Sequence, residues 1–256
     1  MCIGTAVPSN RELQTVKHHF IQHKSIFENY TVGNFEQDAI AALKTLFKTK
    51  DIVVLVGGSG LYVDAVINGL DEFPRIDPAI REELIKKLET EGLMQLQEQL
   101  KALDPVYANK VDISNPHRVI RALEICLGTM QPYSSFLSNT PKERFFSTLY
   151  VGLEAERELV YDRINRRVDL MMATGLLDEA KKLYVHRNLN ALKTVGYREL
   201  FDYFDGKLSL VQAIEEIKKN TRRFAKRQLT WYRKNAQIKW FNHDTTLDEV
   251  LKTIAP

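Results

Sequence analysis

Residues 52–56 are an unbroken apolar run, followed by "GGSG" and then by a helical pattern of apolar and polar positions over 61–70. The run is short, rich in β-branched residues and closed by glycines, so the pattern predicts a buried parallel strand, a tight turn and a crossover helix. A parallel strand implies an α/β sheet. Ligands of such sheets gather at the carboxyl ends of the strands, where Ser59 falls. A second strand is predicted over 146–155 ("FSTLYVGLEA") and a short third near Ile238 ("IKWFN").

Between the first two strands the period changes. "DPAIREELIKKLETEG" offers Asp77 as N-cap, Pro78 at the first helical position and Gly92 as a stop. "NPHRVIRALEICLG" repeats the design with Asn115, Pro116 and Gly128, and "FLSNTPKERFF" returns the chain toward the sheet. This predicts a helical domain over 75–140 inserted into a core of 1–74 and 141–256. Beyond Glu156 the pattern is helical over 157–174, 177–185, 197–205 and 210–234. On a wheel of about 100° per residue, Ile214, Ile217, Phe224, Ala225, Trp231 and Tyr232 of the last segment share one side. Arg222, Arg223, Lys226, Arg227, Arg233 and Lys234 share the other. Thr221 and Gln228 interrupt the apolar stripe and need partners.

Composition describes a soluble globular chain of 256 residues, 44% apolar and 27% charged, and its net charge of +3 implies no polyanionic partner by itself. The distribution of charge does. From Ile217 to Phe241 there are nine basic residues and no acid, so the basic excess is local, a footprint shared by nucleic-acid binders and solvated helices. Cys2 and Cys126 are the only cysteines, which fits a reducing cytoplasm, and no apolar run reaches the length of a membrane span.

No single motif is decisive. "GGSG" after a strand brings backbone N–H groups toward a phosphate or base, but lacks the Lys-Ser or Lys-Thr of a Walker A loop. His19 and His23 have metal-ligand spacing without a neighbouring carboxylate or Cys, which favours a hydrogen-bonded or surface role. Arg118 and Arg121 in "HRVIR" suit phosphate oxygens and, equally, ion pairs. Arg163, Arg166 and Arg167 in "RINRRVDLM" form a short cationic arc, for which solvation is the simpler account.

Taken in order, "MCIGTAVPS", "HHFI", "YTVGNF", "LVGGSGLYVDAVINGL", "DPAIREEL", "DPVYANKV", "NPHRVIRALEI", "KTVGYRE" and "RRFAKRQLTWYRK" resemble the transfer-RNA dimethylallyltransferases. The resemblance runs from Met1 almost to the C-terminus. It implies transfer of a dimethylallyl group from dimethylallyl diphosphate to N6 of adenosine 37, beside the anticodon. It also implies an α/β fold with a P-loop-NTPase-like parallel sheet core, an inserted helical tRNA-binding domain and a helical C-terminal part. Members of the family begin further upstream, with a first strand, a phosphate loop and an Asp that serves as general base. None of these has a counterpart here, so the resemblance implies an impaired piece of such an enzyme. The competing expectation is a non-catalytic RNA-binding remnant; an unrelated kinase-like phosphate-loop fold is disfavoured by the RNA-contact motifs.

Residue by residue, the resemblance assigns tRNA contacts to Ser59, to Arg81 and to His117, Arg118, Val119, Ile120 and Arg121. It assigns further contacts to Lys193, Thr194, Val195, Gly196, Tyr197 and Arg198, with Gly196 admitting a close backbone and Tyr197 available for stacking. The last group is Lys226, Arg227, Gln228, Leu229, Thr230, Trp231, Tyr232 and Arg233, which would present the basic helix to the anticodon stem–loop. Either Arg163 or Arg167 corresponds to an arginine that neutralises the departing diphosphate. Magnesium is the expected cofactor, and a cytoplasmic monomer the expected state.

Overall fold

Side-chain caps set most helix starts in the computed structural model, which describes residues 1–138 and 140–254. The chain divides into two compact units, Met1–Val66 with Phe145–Pro256, and Ile67–Arg144. These boundaries lie outside residues 75 and 140. Asn139, within the stretch expected to return the chain to the sheet, lies outside the described residues, as do Ala255 and Pro256.

The Ile67–Arg144 unit is helical. Asp77 accepts the Ala79 N–H at 2.9 Å ahead of α4 (Pro78–Glu91), and Asn115 accepts the His117 N–H at 3.0 Å ahead of α7 (Pro116–Thr129). Each cap satisfies a donor that a helix start leaves unpaired, and the proline beside it has no N–H to satisfy. Gly92, with φ of +84°, ends α4 and opens α5 (Leu93–Leu103). The second stop differs from expectation: α7 runs past Gly128, and Met130 in the left-handed region closes it. Gly128 is instead a packing glycine, since a Cβ there would lie 2.6 Å from Ile76. Buried Asp104 caps the short α6 (Pro105–Ala108) through the Tyr107 N–H, and also accepts from the N–H and hydroxyl of Ser134. The "DPVYANKV" motif is therefore a structural device. Leu84, Leu96, Leu100, Val119, Ile120 and Leu123 form the core between these helices.

The other unit begins with α1 (Asn10–Thr15), α2 (Val32–Leu46) and α3 (Gly60–Asn68) and resumes at β1 (Val151–Glu154). Four helices follow, α8 (Arg157–Ala173), α9 (Leu176–Leu183), α10 (Tyr197–Phe204) and α11 (Leu210–Tyr232), then β2 (Lys239–Asn242) and α12 (Leu247–Ile254). The core lies among α8 to α11 around Val168, Leu176, Tyr197, Leu200, Ala213 and Ile217. Strands β1 and β2 pair in parallel, Val151 opposite Lys239 through Glu154 opposite Asn242. The described residues are thus helix-rich with a small parallel sheet.

Residues 52–56 do not form the expected buried strand. They have no ladder partner among the described residues, and Ile52, Val54 and Val56 are 83%, 77% and 86% exposed. An apolar run is buried as a parallel strand only when neighbours pair with its edges and cover its faces; neither β1 nor β2 does so here. No helix among the described residues is long and apolar enough to cross a membrane.

Candidate nucleic-acid interface

The glycine loop and the C-terminal half of α11 are packed together by the absence of side chains. A Cβ on Gly60 would lie 2.2 Å from the Trp231 ring, and one on Gly58 would lie 2.6 Å from the Gln228 amide oxygen. Trp231 is fixed by its Nε1–H, which donates to Asp64 Oδ2 on α3 at 2.9 Å. The Ser59 carbonyl accepts the N–H groups of Tyr62 and Val63 and so starts α3. The exposed Ser59 side chain stands at a cavity of about 200 Å³ walled by Phe35, Gly57, Gly58 and Tyr62. Beside this junction the Tyr232 hydroxyl is buried and has no hydrogen-bond partner among the described residues. Burial pushes its phenol up, and the Asp64 carboxylate adds to the effect.

The wheel drawn from the sequence is half right. Ile217 is buried and Ile214 packs against the core, whereas Phe224 and Trp231 are 45% and 41% exposed. Only the first half of α11 has a core to face. Of the two polar interruptions, Thr221 donates its hydroxyl to the Ile217 carbonyl at 2.7 Å, and Gln228 packs on the glycine loop. Leu229 is half-buried, and the Thr230 hydroxyl donates to the Lys226 carbonyl.

Cations collect where α8 and α11 meet. Arg222 donates to Asn165 at 2.6 Å, and its guanidinium stands 5.8 Å from the Tyr161 ring, which Arg157 also approaches at 5.0 Å. Lys218 pairs with Asp169 at 2.8 Å and ties the two helices together. Arg166 is occupied by Asp162 at 2.7 Å, while Arg163 and Arg167 are exposed and have no ion pair among the described residues. Further along α11, Arg223 donates to Asn220 at 3.3 Å and Arg227 lies over Phe224, and neither these two nor Lys226 has an ion pair among the described residues. Arg233 approaches Glu154 at 3.5 Å. Arg163, Arg167, Arg222, Arg223, Lys226 and Arg227 thus have no carboxylate partner among the described residues, which is what a polyanion surface requires and an ion-paired solvated helix does not.

The "KTVGYR" segment corrects two expectations. Tyr197 is fully buried in the core, so its ring cannot stack on a base. Gly196 is buried too, and a Cβ on it would meet nothing within 4 Å; its φ of +101° is what demands glycine. Its N–H donates to Glu199 at 2.8 Å, and this buried carboxylate also accepts from Asn220 at 2.8 Å and Arg198 at 2.9 Å. Lys193 and Thr194 are exposed and Val195 packs against the core, which leaves Lys193, Thr194 and Arg198 as the accessible members.

Glu179 on α9 is a residue that the sequence did not reveal. Its carboxylate accepts the N–H groups of Cys2, Ile3 and Gly4 at 2.8, 3.1 and 3.1 Å, together with the Tyr197 hydroxyl. Burial pushes this carboxyl up, but the Tyr197 hydroxyl and the three backbone N–H groups outweigh it and hold it below the ordinary 4.5. A folded value below the unfolded one gives stability that is present above the ordinary value and lost as the pH falls through the folded one. The expected result is that hydrogen-exchange protection factors of the Ile3 and Gly4 amides are high at neutral pH and collapse in acid before the core amides do. Uniform protection across that range would show that Glu179 does not hold the loop.

In the Ile67–Arg144 unit, Glu124 accepts from both Arg81 at 3.0 Å and Arg121 at 3.2 Å, and Arg121 also lies 5.2 Å from the Phe73 ring. The two arginines are positioned by a shared carboxylate that offsets part of their charge. His117 and Arg118 are exposed, whereas Val119 and Ile120 are buried, so their side chains belong to the core rather than to any RNA contact. The helix period explains this, because four successive positions cannot all face outward. His23 Nδ1 lies 3.1 Å from the Phe20 carbonyl, and no group of three or more His, Cys, Asp or Glu among the described residues could hold a metal ion.

The family model described as IPP transferase matches residues 1–235. The chain is 55% identical over 260 residues to a tRNA dimethylallyltransferase of Flavobacterium johnsoniae, covering 99% of this chain and 84% of that protein. It is 58% identical over 244 residues to the tRNA dimethylallyltransferase of Christiangramia forsetii, covering 95% and 81%. Among solved structures, the tRNA isopentenylpyrophosphate transferase of Bacillus halodurans superposes with a TM-score of 0.67 at 39% identity, covering 98% of this chain and 80% of that one. A eukaryotic dimethylallyltransferase acting on tRNA superposes with a TM-score of 0.75 at 25% identity, covering 99% and 66%.

Proposed function

Because the chain belongs to the IPP transferase family, we propose that it is a prenyltransferase that transfers a dimethylallyl group to transfer RNA. The observation that carries this reading beyond family membership is the acid-free, unneutralised cationic half of α11, packed through Gln228 and Trp231 onto the glycine loop. In the finer form of the proposal the donor is dimethylallyl diphosphate and the acceptor is N6 of adenosine 37 in the anticodon stem–loop. The amine attacks the allylic carbon, the carbon–oxygen bond to diphosphate breaks, and N6 gives up a proton.

The chain's own residues bind and orient. Lys226, Arg227, Lys193, Arg198 and Arg118 meet phosphate oxygens, Arg81 and Arg121 are held for the same use by Glu124, and Ser59 meets the extracted adenosine. Extraction from the stack costs roughly a few kcal/mol, to be met by contacts of this kind. Arg163 or Arg167 faces the leaving diphosphate, where a fixed cation stabilises charge as it develops. Magnesium remains the expected cofactor; no group of three or more His, Cys, Asp or Glu among the described residues would hold it alone, so it would be carried largely by the donor diphosphate. The parallel β1–β2 pair is read as part of a phosphate-loop-type sheet core, the support being its register and the glycine loop after residues 52–56. A cytoplasmic monomer remains the expected state.

The test is nucleoside mass spectrometry of bulk transfer RNA from cells with and without the gene. Deletion is expected to remove dimethylallylated adenosine, and re-supplying the gene to restore it. Prenylated adenosine that persists at full level after deletion would overturn the proposal.

A further inference from the structure

A second cavity, of about 740 Å³, opens between residues 1–8, 20–30 and 189–191. Among the described residues the positive-φ positions that are not glycine are Ala6, Phe20, Gln22 and Met130, and the first three, at 49°, 65° and 51°, stand on its wall. Backbone of this kind is costly, persists only where its surroundings impose it, and clusters at ligand sites. Part of the imposition is visible: the wall formed by residues 1–8 is held by the Glu179 carboxylate, and the Gly4 backbone lies on the Tyr197 ring.

The chemistry of the lining is that of a flat, uncharged ligand. Rings of Phe20, His23 and Tyr30 stand edge to face at 5.1 Å, and the exposed Phe27 ring is braced by His186 at 4.8 Å. Lys24, the cation of the lining, pairs with Glu28 at 3.8 Å, so no surplus charge waits for a phosphate. Asn29 and Asn190 add side-chain amides able to read a hydrogen-bonding edge. A chain of ring contacts also links the cavity to the interface described above. Rings run from Tyr30 through His23, Phe20 and Phe35 to Tyr62 with centroids 5.1, 5.1, 5.4 and 5.2 Å apart, ending at the Ser59 cavity. Its third wall leads directly into Lys193.

We propose that this cavity receives a second unpaired base of the bound RNA, stacked on Phe27 and read by Asn29 and Asn190, beside the base handled at Ser59. The proposal rests on the RNA-binding reading of α11. A base–aromatic stack on an exposed ring adds affinity without neutralising a phosphate, so it leaves the salt dependence alone.

Fluorescence anisotropy with an anticodon stem–loop RNA, and with the same stem carrying an abasic loop, tests it. Phe27→Ala is expected to weaken stem–loop binding by roughly 5- to 100-fold with an unchanged salt slope. It should leave binding of the abasic RNA unaffected, and Phe27→Trp should retain affinity. Asn190→Ala, which removes no ring, should weaken only the intact loop. Normal binding by Phe27→Ala and Asn190→Ala, with Arg227→Glu still impaired, would overturn the base pocket and leave the RNA reading standing. Equal losses on both RNAs would overturn it as well. Failure of the wild-type chain to bind the stem–loop would overturn both.

Discussion

Reversing Arg227 and Arg233 to glutamate is expected to lower affinity for an anticodon stem–loop on the order of 100-fold at low salt, and to flatten the log–log salt slope by roughly two. Each side chain reaches solvent beyond Ile217, the last buried residue of α11, so neither reversal disturbs the core. Arg227 loses a contact with the Phe224 ring at 5.9 Å, and Arg233 a single 3.5 Å approach to Glu154. Both are exposed interactions whose loss changes folding little. The slope is the informative quantity, because it counts counterions released by phosphate contacts rather than overall affinity. Filter binding over a salt series gives it, and an unchanged slope would show that the basic face is only hydrated.

Glu199→Ala should be the most damaging substitution to stability. The carboxylate is 3% exposed and accepts from the Gly196 N–H, the Asn220 amide and the Arg198 guanidinium. Removing it leaves the buried Gly196 donor without an acceptor and the guanidinium beside a void, a loss of about 3 kcal/mol. For a chain of this size that lowers the melting temperature by roughly 6–12 °C. Glu199→Gln keeps an acceptor for Gly196 but turns an amide toward two other donors, and should fall between the two. Urea denaturation measures both, and a loss under about 1 kcal/mol for the alanine variant would refute the assignment.

The contrast between legible and illegible features follows sequence distance. Helices α4 and α7 were readable because an Asx cap, a proline and an apolar period lie within one short window. The strand positions of β1 and β2 were readable from β-branched and aromatic runs. Residues 52–56 carried the same signal and did not form a ladder, since composition specifies a strand's appetite for partners and not their presence. The resemblance makes "KTVGYR" an RNA contact region, yet Tyr197 lies in the core and Gly196 serves a backbone angle. The resemblance groups the five successive positions His117 to Arg121 as one contact region, although the helix turns Val119 and Ile120 inward. Glu179 and Asp64 escaped notice for a plainer reason. The backbone donors of Glu179 lie 175 to 177 positions away and the indole donor of Asp64 lies 167 away, and an isolated carboxylate on a helix carries no mark of a distant donor.

Helix α11 runs 23 residues, but its buried residues are Ala213 and Ile217, both in the first half. At about 1.5 Å per residue, the cationic end projects well over 10 Å beyond that anchorage, tethered by Trp231 to Asp64 and by Gln228 to the glycine loop. It is therefore held like a beam supported at both ends. Amide exchange should be slow near Ala213 and Ile217 and again near Gln228 and Trp231, and faster across the cationic stretch between them.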